Sequence, residues 1–120
     1  MLRICNIKKE SLDIEIEGKW YQLTGQLAPD GFHASKTEIS FICDEKHPMP
    51  MAERRELAKD MEENPYRGSQ EIVNFLRNPN IILTTNLLPI TDAEKSKVLR
   101  IIQSQWTKAG AEFAIQFDVP

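Results

Sequence analysis

The chain has 120 residues, 41% hydrophobic and 28% charged, which is enough for one globular domain with a core of its own. Only five Gly and seven Pro exclude the low-complexity and disordered classes. A net charge of −3 excludes broad electrostatic attraction to nucleic acid, so a basic protein is the charged partner that composition favours.

The first element, Leu2 to Ile7, reads as a short strand. Leu12, Ile14 and Ile16 then alternate with Asp13, Glu15 and Glu17, the period-2 pattern of a half-buried strand. Gly18-Lys19 turns the chain into a second strand, Trp20 to Thr24, and the two make a hairpin. Pro29-Asp30-Gly31 is a turn, because Pro presets φ and Gly accepts positive φ. The run Phe32 to Cys43 follows as a strand with Ser35, Thr37, Ile39, Phe41 and Cys43 on one face.

After the charged, proline-broken loop Asp44 to Pro50 the period changes. Arg54, Leu57, Ala58 and Met61 fall at i, i+3, i+4 and i+7, so 51–63 is read as a helix that Asn64-Pro65 ends. Ser69 is expected to cap a second helix that packs Ile72, Val73, Phe75 and Leu76 inward and stops at Asn78-Pro79-Asn80. Ile81 to Thr85 reads as a short strand. Thr91-Asp92-Ala93-Glu94 has the form of a capping box, with Glu94 expected to reach back to the cap. The helix it opens carries Val98, Leu99, Ile102, Trp106 and Ala109 on one stripe and ends at Gly110. Phe113, Ile115, Phe117 and Val119 alternate with polar or small residues as a final strand. The fold class is therefore α+β. One domain, 1–120, holds an N-terminal antiparallel β-meander, middle helices, and a long capped C-terminal helix followed by a strand that joins the sheet.

Chemical motifs are sparse. Cys5 and Cys43 are too few for a disulfide framework and lack metal-ligand spacing; two buried thiols are expected, with a single bridge as the alternative. His33 and His47 are the only histidines, so a small hydrolase would have to use them. On one straight strand His33 and Cys43 share a face but stand roughly 33 Å apart, too far for a thiolate–imidazole pair. No P-loop, GxSxG elbow, EF-hand or paired metal histidines occur, so neither cofactor nor metal is expected and the chain is read as a non-enzyme. The N-terminus lacks a signal-peptide core and no apolar run approaches membrane-span length, so a cytoplasmic, membrane-free protein is expected.

Two acidic groups remain as candidate partner-binding residues. Asp13, Glu15 and Glu17 would project from one strand face at intervals of about 7 Å, a spacing suited to a ribbon of Lys and Arg. Asp60, Glu62 and Glu63 sit at the end of the first helix, where the macrodipole disfavours negative charge. The competing role for both is an ordinary solvated face.

The runs GKWYQLTGQLAPDGFHASKTEISF and PITDAEKSKVLRIIQSQWTKAGAEFAIQFD together resemble small bacterial immunity proteins of contact-dependent growth inhibition and other polymorphic toxin systems. The shared features are the aromatic strand with Trp20 and Tyr21, the Pro29-Asp30-Gly31-Phe32 turn, the Thr91–Glu94 cap, Gly110 and the last strand. Segment 44–88 departs from that pattern as a helical insertion. The resemblance implies stoichiometric inhibition of a cognate toxin C-terminal domain, basic and of nuclease type, with no catalysis and no direct nucleic-acid contact. It transfers a role but no contact residues. An oligomeric or adaptor module is the alternative from a different class.

Overall fold

The computed structural model describes residues 1–44, 46–65, 69–78, 80–81 and 87–120. Strands β1 (Leu2–Ile7), β2 (Ser11–Ile16), β3 (Lys19–Ala28) and β4 (Gly31–Ile42) form the antiparallel meander. Helices α1 (Met51–Glu63) and α2 (Ser69–Arg77), the two-residue strand β5 (Leu87–Leu88), helix α3 (Asp92–Gln105) and strand β6 (Ile115–Val119) follow. The sheet order is β1-β2-β3-β4-β5, with β6 paired to the opening of β4. This pairing is parallel, Phe32 to Ile115 and His33 to Gln116, because the crossover through α3 returns the chain in the direction of β4. The strand expected at Ile81 to Thr85 falls outside the described residues apart from Ile81.

Strict alternation explains the hairpin. Leu12, Ile14 and Ile16 are buried and meet Leu23, Tyr21 and Lys19 across the β2–β3 register. Each such buried side chain contributes about 1.5–3 kcal/mol of apolar burial. The same face receives Leu57, Ala58 and Met61 of α1, Val73 and Leu76 of α2, Val98 and Ile102 of α3, and Trp106 just after it in one cluster. Described residues of α1 and α2 within 44–88 thus contribute to the main core. Among the described residues no helix is long and apolar enough to cross a membrane.

In β4 the expected single face is interrupted. Leu23 pairs with Ile39, but two residues further on Gly25 pairs with Ala34, so β4 carries extra chain at 35–38. The buried phase therefore switches from Phe32 and Ala34 to Ile39, Phe41 and Cys43, and Thr37 is exposed. His33 and Cys43 accordingly do not share a face. The bulge is organised by Ser35, 1% exposed, whose hydroxyl accepts from the backbone N–H of Thr37 at 3.2 Å and Glu38 at 3.3 Å. The hydroxyl donates to the Pro120 carbonyl at 3.1 Å. A second correction concerns Cys5, which is exposed at a bulge of the edge strand β1, whereas Cys43 is buried; both thiols are free.

Helix α3 starts as its sequence signal requires: Thr91 Oγ1 accepts from the Glu94 backbone N–H at 3.1 Å. Thr91→Ala is expected to lower stability by about 1 kcal/mol, read as a shift of the urea midpoint. The Glu94 carboxylate departs from the expected capping box, since its Oε1 is taken up by the sheet, where Tyr21 Oη donates at 2.6 Å.

Candidate functional site

Lys19 and Tyr21 alternate onto the helix-covered face of β3, below the first turns of α1 and α3. Lys19 Nζ lies 3.1 Å from Glu53 Oε2 and 3.5 Å from Glu94 Oε1, so one ammonium links both helices to the sheet. Burial pulls this ammonium's pKa down, but the hydrogen bonds and charges of Glu53 and Glu94 more than offset that and raise it above the ordinary lysine value. Burial, with the adjoining Glu94 carboxylate, raises the Tyr21 phenol well above its usual range. Tyr21 is thus a neutral donor at any ordinary pH.

This network closes one end of a groove of about 370 Å³ along α1. Phe41 and Leu57 supply apolar lining, and Glu53, Glu56, Asp60, Glu63 and Glu94 surround it with Lys19 and Lys59. The four α1 carboxylates follow at i, i+3, i+7 and i+10, which places them along one flank over about 15 Å. Beyond Leu57 and Asp60 the groove adjoins a second recess of about 400 Å³ bounded by Met61, Asn64, Pro89, Ile90, Thr91 and Asp92. Lys19 engages Glu53 and Glu94, whereas Glu56, Asp60 and Glu63 make no ion pair among the described residues. The last turn of α1 contains no basic residue. Asp60 and Glu63 therefore lie at the negative end of the helix dipole with no basic residue in that turn, and a cation arriving from outside would relieve that. An apolar strip rimmed by carboxylates can seat the stem of Lys or Arg and pair its head.

The acids expected to act together are thus separated. Asp60 and Glu63 line the groove, but Glu62 points elsewhere and pairs with Arg77 of α2. Asp13 is 8% exposed and accepts from Gln22 Nε2 at 3.2 Å, which corrects its expected place in an open row. Glu15 Oε1 accepts from Arg3 Nε at 3.0 Å, and Glu17 lies beyond β2 in the turn with φ +51°. Glu53, Glu56 and Glu94 were missed as members of one site. Their helical spacing is visible in the sequence, but their convergence with Lys19 depends on helix packing.

Neither histidine lines the groove. His47 Nδ1 is 2.8 Å from Asp44 Oδ1, and its ring meets Trp20 edge-on at 4.6 Å. Asp44 Oδ1 also accepts from the backbone N–H of Lys46 and His47, so this cluster organises its own loop. His33 lies between Asp30 and Asp118, each at 2.8 Å but on opposite ring nitrogens, so one ring nitrogen cannot join both carboxylates around an ion. Among the described residues no group of three or more His, Cys, Asp or Glu side chains converges as a metal site.

No family model, curated protein or solved structure matches the chain.

Proposed function

We propose that this protein is an immunity-type inhibitor that neutralises a basic toxin domain of nuclease type by stoichiometric binding through the acidic groove of α1. The observation that carries the reading is the set of carboxylates, Glu56, Asp60 and Glu63, that make no ion pair among the described residues, beside an apolar strip of Phe41 and Leu57. Nuclease substrate grooves are basic because they bind phosphate, and carboxylates at helical spacing offer them a competing anionic ligand. The likeness of the aromatic hairpin and capped helix to immunity proteins supports the same reading. Inhibition of this kind requires contact and no reacting group on the inhibitor.

The test begins with whether a basic, toxin-like product is encoded beside the gene, and then with the affinity of the purified chain for it. The triple variant Glu56→Lys/Asp60→Lys/Glu63→Lys is expected to weaken that binding roughly 30-fold at low ionic strength, from rim charges worth up to about 1 kcal/mol each. Its affinity should also depend less on salt, whereas Glu17→Lys, in the β2–β3 turn, should leave both unchanged. A correctly folded triple variant that binds as tightly as the parent would remove the groove from the interface. Absence of any complex would overturn the function itself.

A further inference from the structure

The last strand is fastened to the sheet mainly by uncharged contacts. The Phe32 backbone N–H donates to the Ala114 carbonyl at 2.9 Å, Trp106 Nε1 donates to the Phe113 carbonyl at 2.8 Å, and Ser35 holds Pro120. None of these titrates near neutral pH. His33 does, and its surroundings are specific. Nε2 stands 2.8 Å from Asp30 Oδ1 in the β3–β4 turn, and Nδ1 stands 2.8 Å from Asp118 Oδ2 on β6.

An ionised carboxylate can only accept a hydrogen bond, so each ring nitrogen must donate. A neutral imidazole has a single N–H and would aim a lone pair at one of the carboxylates. The arrangement is therefore complete only for the imidazolium. We infer that His33 is a protonation-dependent clip: its charged ring bridges Asp30 and Asp118, and loss of its proton to water loosens β6 from β4.

The remaining neighbours do not compete for this role. Across β3 the residue paired with His33 is Gln26, and across β6 it is Gln116, both uncharged. The charges acting on the ring are those of Asp30 and Asp118. The Asp30 hydrogen bond, then that of Asp118, raises the ring's pKa above its ordinary 6.5, and His33 in turn lowers that of Asp30. The sign follows from linkage. The histidine contribution is fully present below the unfolded-state value and is lost as pH rises through the higher folded-state value. The Asp30 contribution is present above its unfolded-state value and is lost as pH falls through the lowered one. The clip holds in weak acid and opens as pH rises through the raised folded-state value of His33. Opening frees the half-buried side chains Ile115 and Phe117, which line a groove of about 550 Å³ together with Ile102 of α3 and Trp106 just after it.

Amide hydrogen exchange of the intact chain between about pH 6 and pH 9, corrected for intrinsic rates, tests this directly. Protection of the 115–119 amides should fall roughly three- to tenfold as His33 titrates, the range for two exposed charge-assisted contacts, while β2 amides keep theirs. His33→Gln should give the low protection at every pH without a step, and Asp118→Asn should shrink the step. Unchanged β6 protection across the wild-type His33 titration, followed by the ring resonances in the same samples, would overturn the clip. So would a step of the same size in His33→Gln. The wild-type chain supplies the step by itself, so the test does not depend on a variant folding.

Discussion

Replacing Arg54 by alanine is expected to lower the unfolding free energy by about 3–4 kcal/mol, since hydrogen bonds to a charged group contribute about 1.5–3 kcal/mol each. Arg54 is 8% exposed on the inner face of α1. Its Nε donates to the Leu76 carbonyl at 3.0 Å, and Nη2 donates to the Phe75 carbonyl. Both carbonyls belong to the last turn of α2, where the i+4 helical amides run out, and the Phe75 carbonyl otherwise accepts only a longer bond from the Asn78 N–H at 3.3 Å. One helix therefore caps the other. The guanidinium also lies over the Phe75 ring at 4.5 Å and reaches Cys43 Sγ at 3.7 Å, joining α1, α2 and the residue just past β4. Arg54→Ala removes the donors and leaves a void where water cannot easily replace them. Arg54→Met should retain part of the packing and lose less, whereas Arg54→Lys cannot reproduce the planar fork. Urea unfolding followed by circular dichroism reads the effect, and exchange data should show α2 opening first. A loss below about 1 kcal/mol would contradict the cap.

Gly31→Ala is expected to cost about 3 kcal/mol and to dislodge β6. Gly31 has φ +133°, which L side chains rarely adopt, and a Cβ there would stand 2.3 Å from the Ala114 carbonyl oxygen. The clash is with backbone, so no rotamer relieves it. The displaced group is the one that accepts from Phe32 N–H and starts the β4–β6 pairing. Gly110 provides the control: its φ is +79°, but a Cβ there meets nothing within 4 Å. Gly110→Ala should cost only about 1 kcal/mol, the conformational part alone. Equal midpoints for the two variants would show that the close approach of Ala114 is not what makes Gly31 necessary. Because β6 also carries Asp118, Gly31→Ala should abolish the pH-dependent protection step as well.

Much of this architecture is legible locally. Period-2 alternation from Leu12 to Ile16 puts apolar residues on a pleat whatever the remainder of the chain does, and those residues are buried. The stripe Arg54, Leu57, Ala58, Met61 is the buried face of α1 even though its first member is charged. Thr91 caps α3 because its hydroxyl reaches an amide three residues away. The phase change in β4 was not legible, since it depends on Ser35 drawing two nearby amides out of the ladder while its hydroxyl holds a residue from the far end of the chain.

The candidate site divides in the same way. The α+β class, the elements with strong periodicity and the acidic surplus at the end of α1 are all written in local pattern. Those follow from interactions within a few residues, where side-chain direction is set by backbone period. Which carboxylates remain available depends on packing: it covers Asp13, pairs Glu15 with Arg3 and Glu62 with Arg77, and leaves Asp60 and Glu63 beside Glu56 in one groove. A charge is neutralised by whatever lies within a few ångströms, and among partners distant in sequence that is fixed only when helices and sheet have packed.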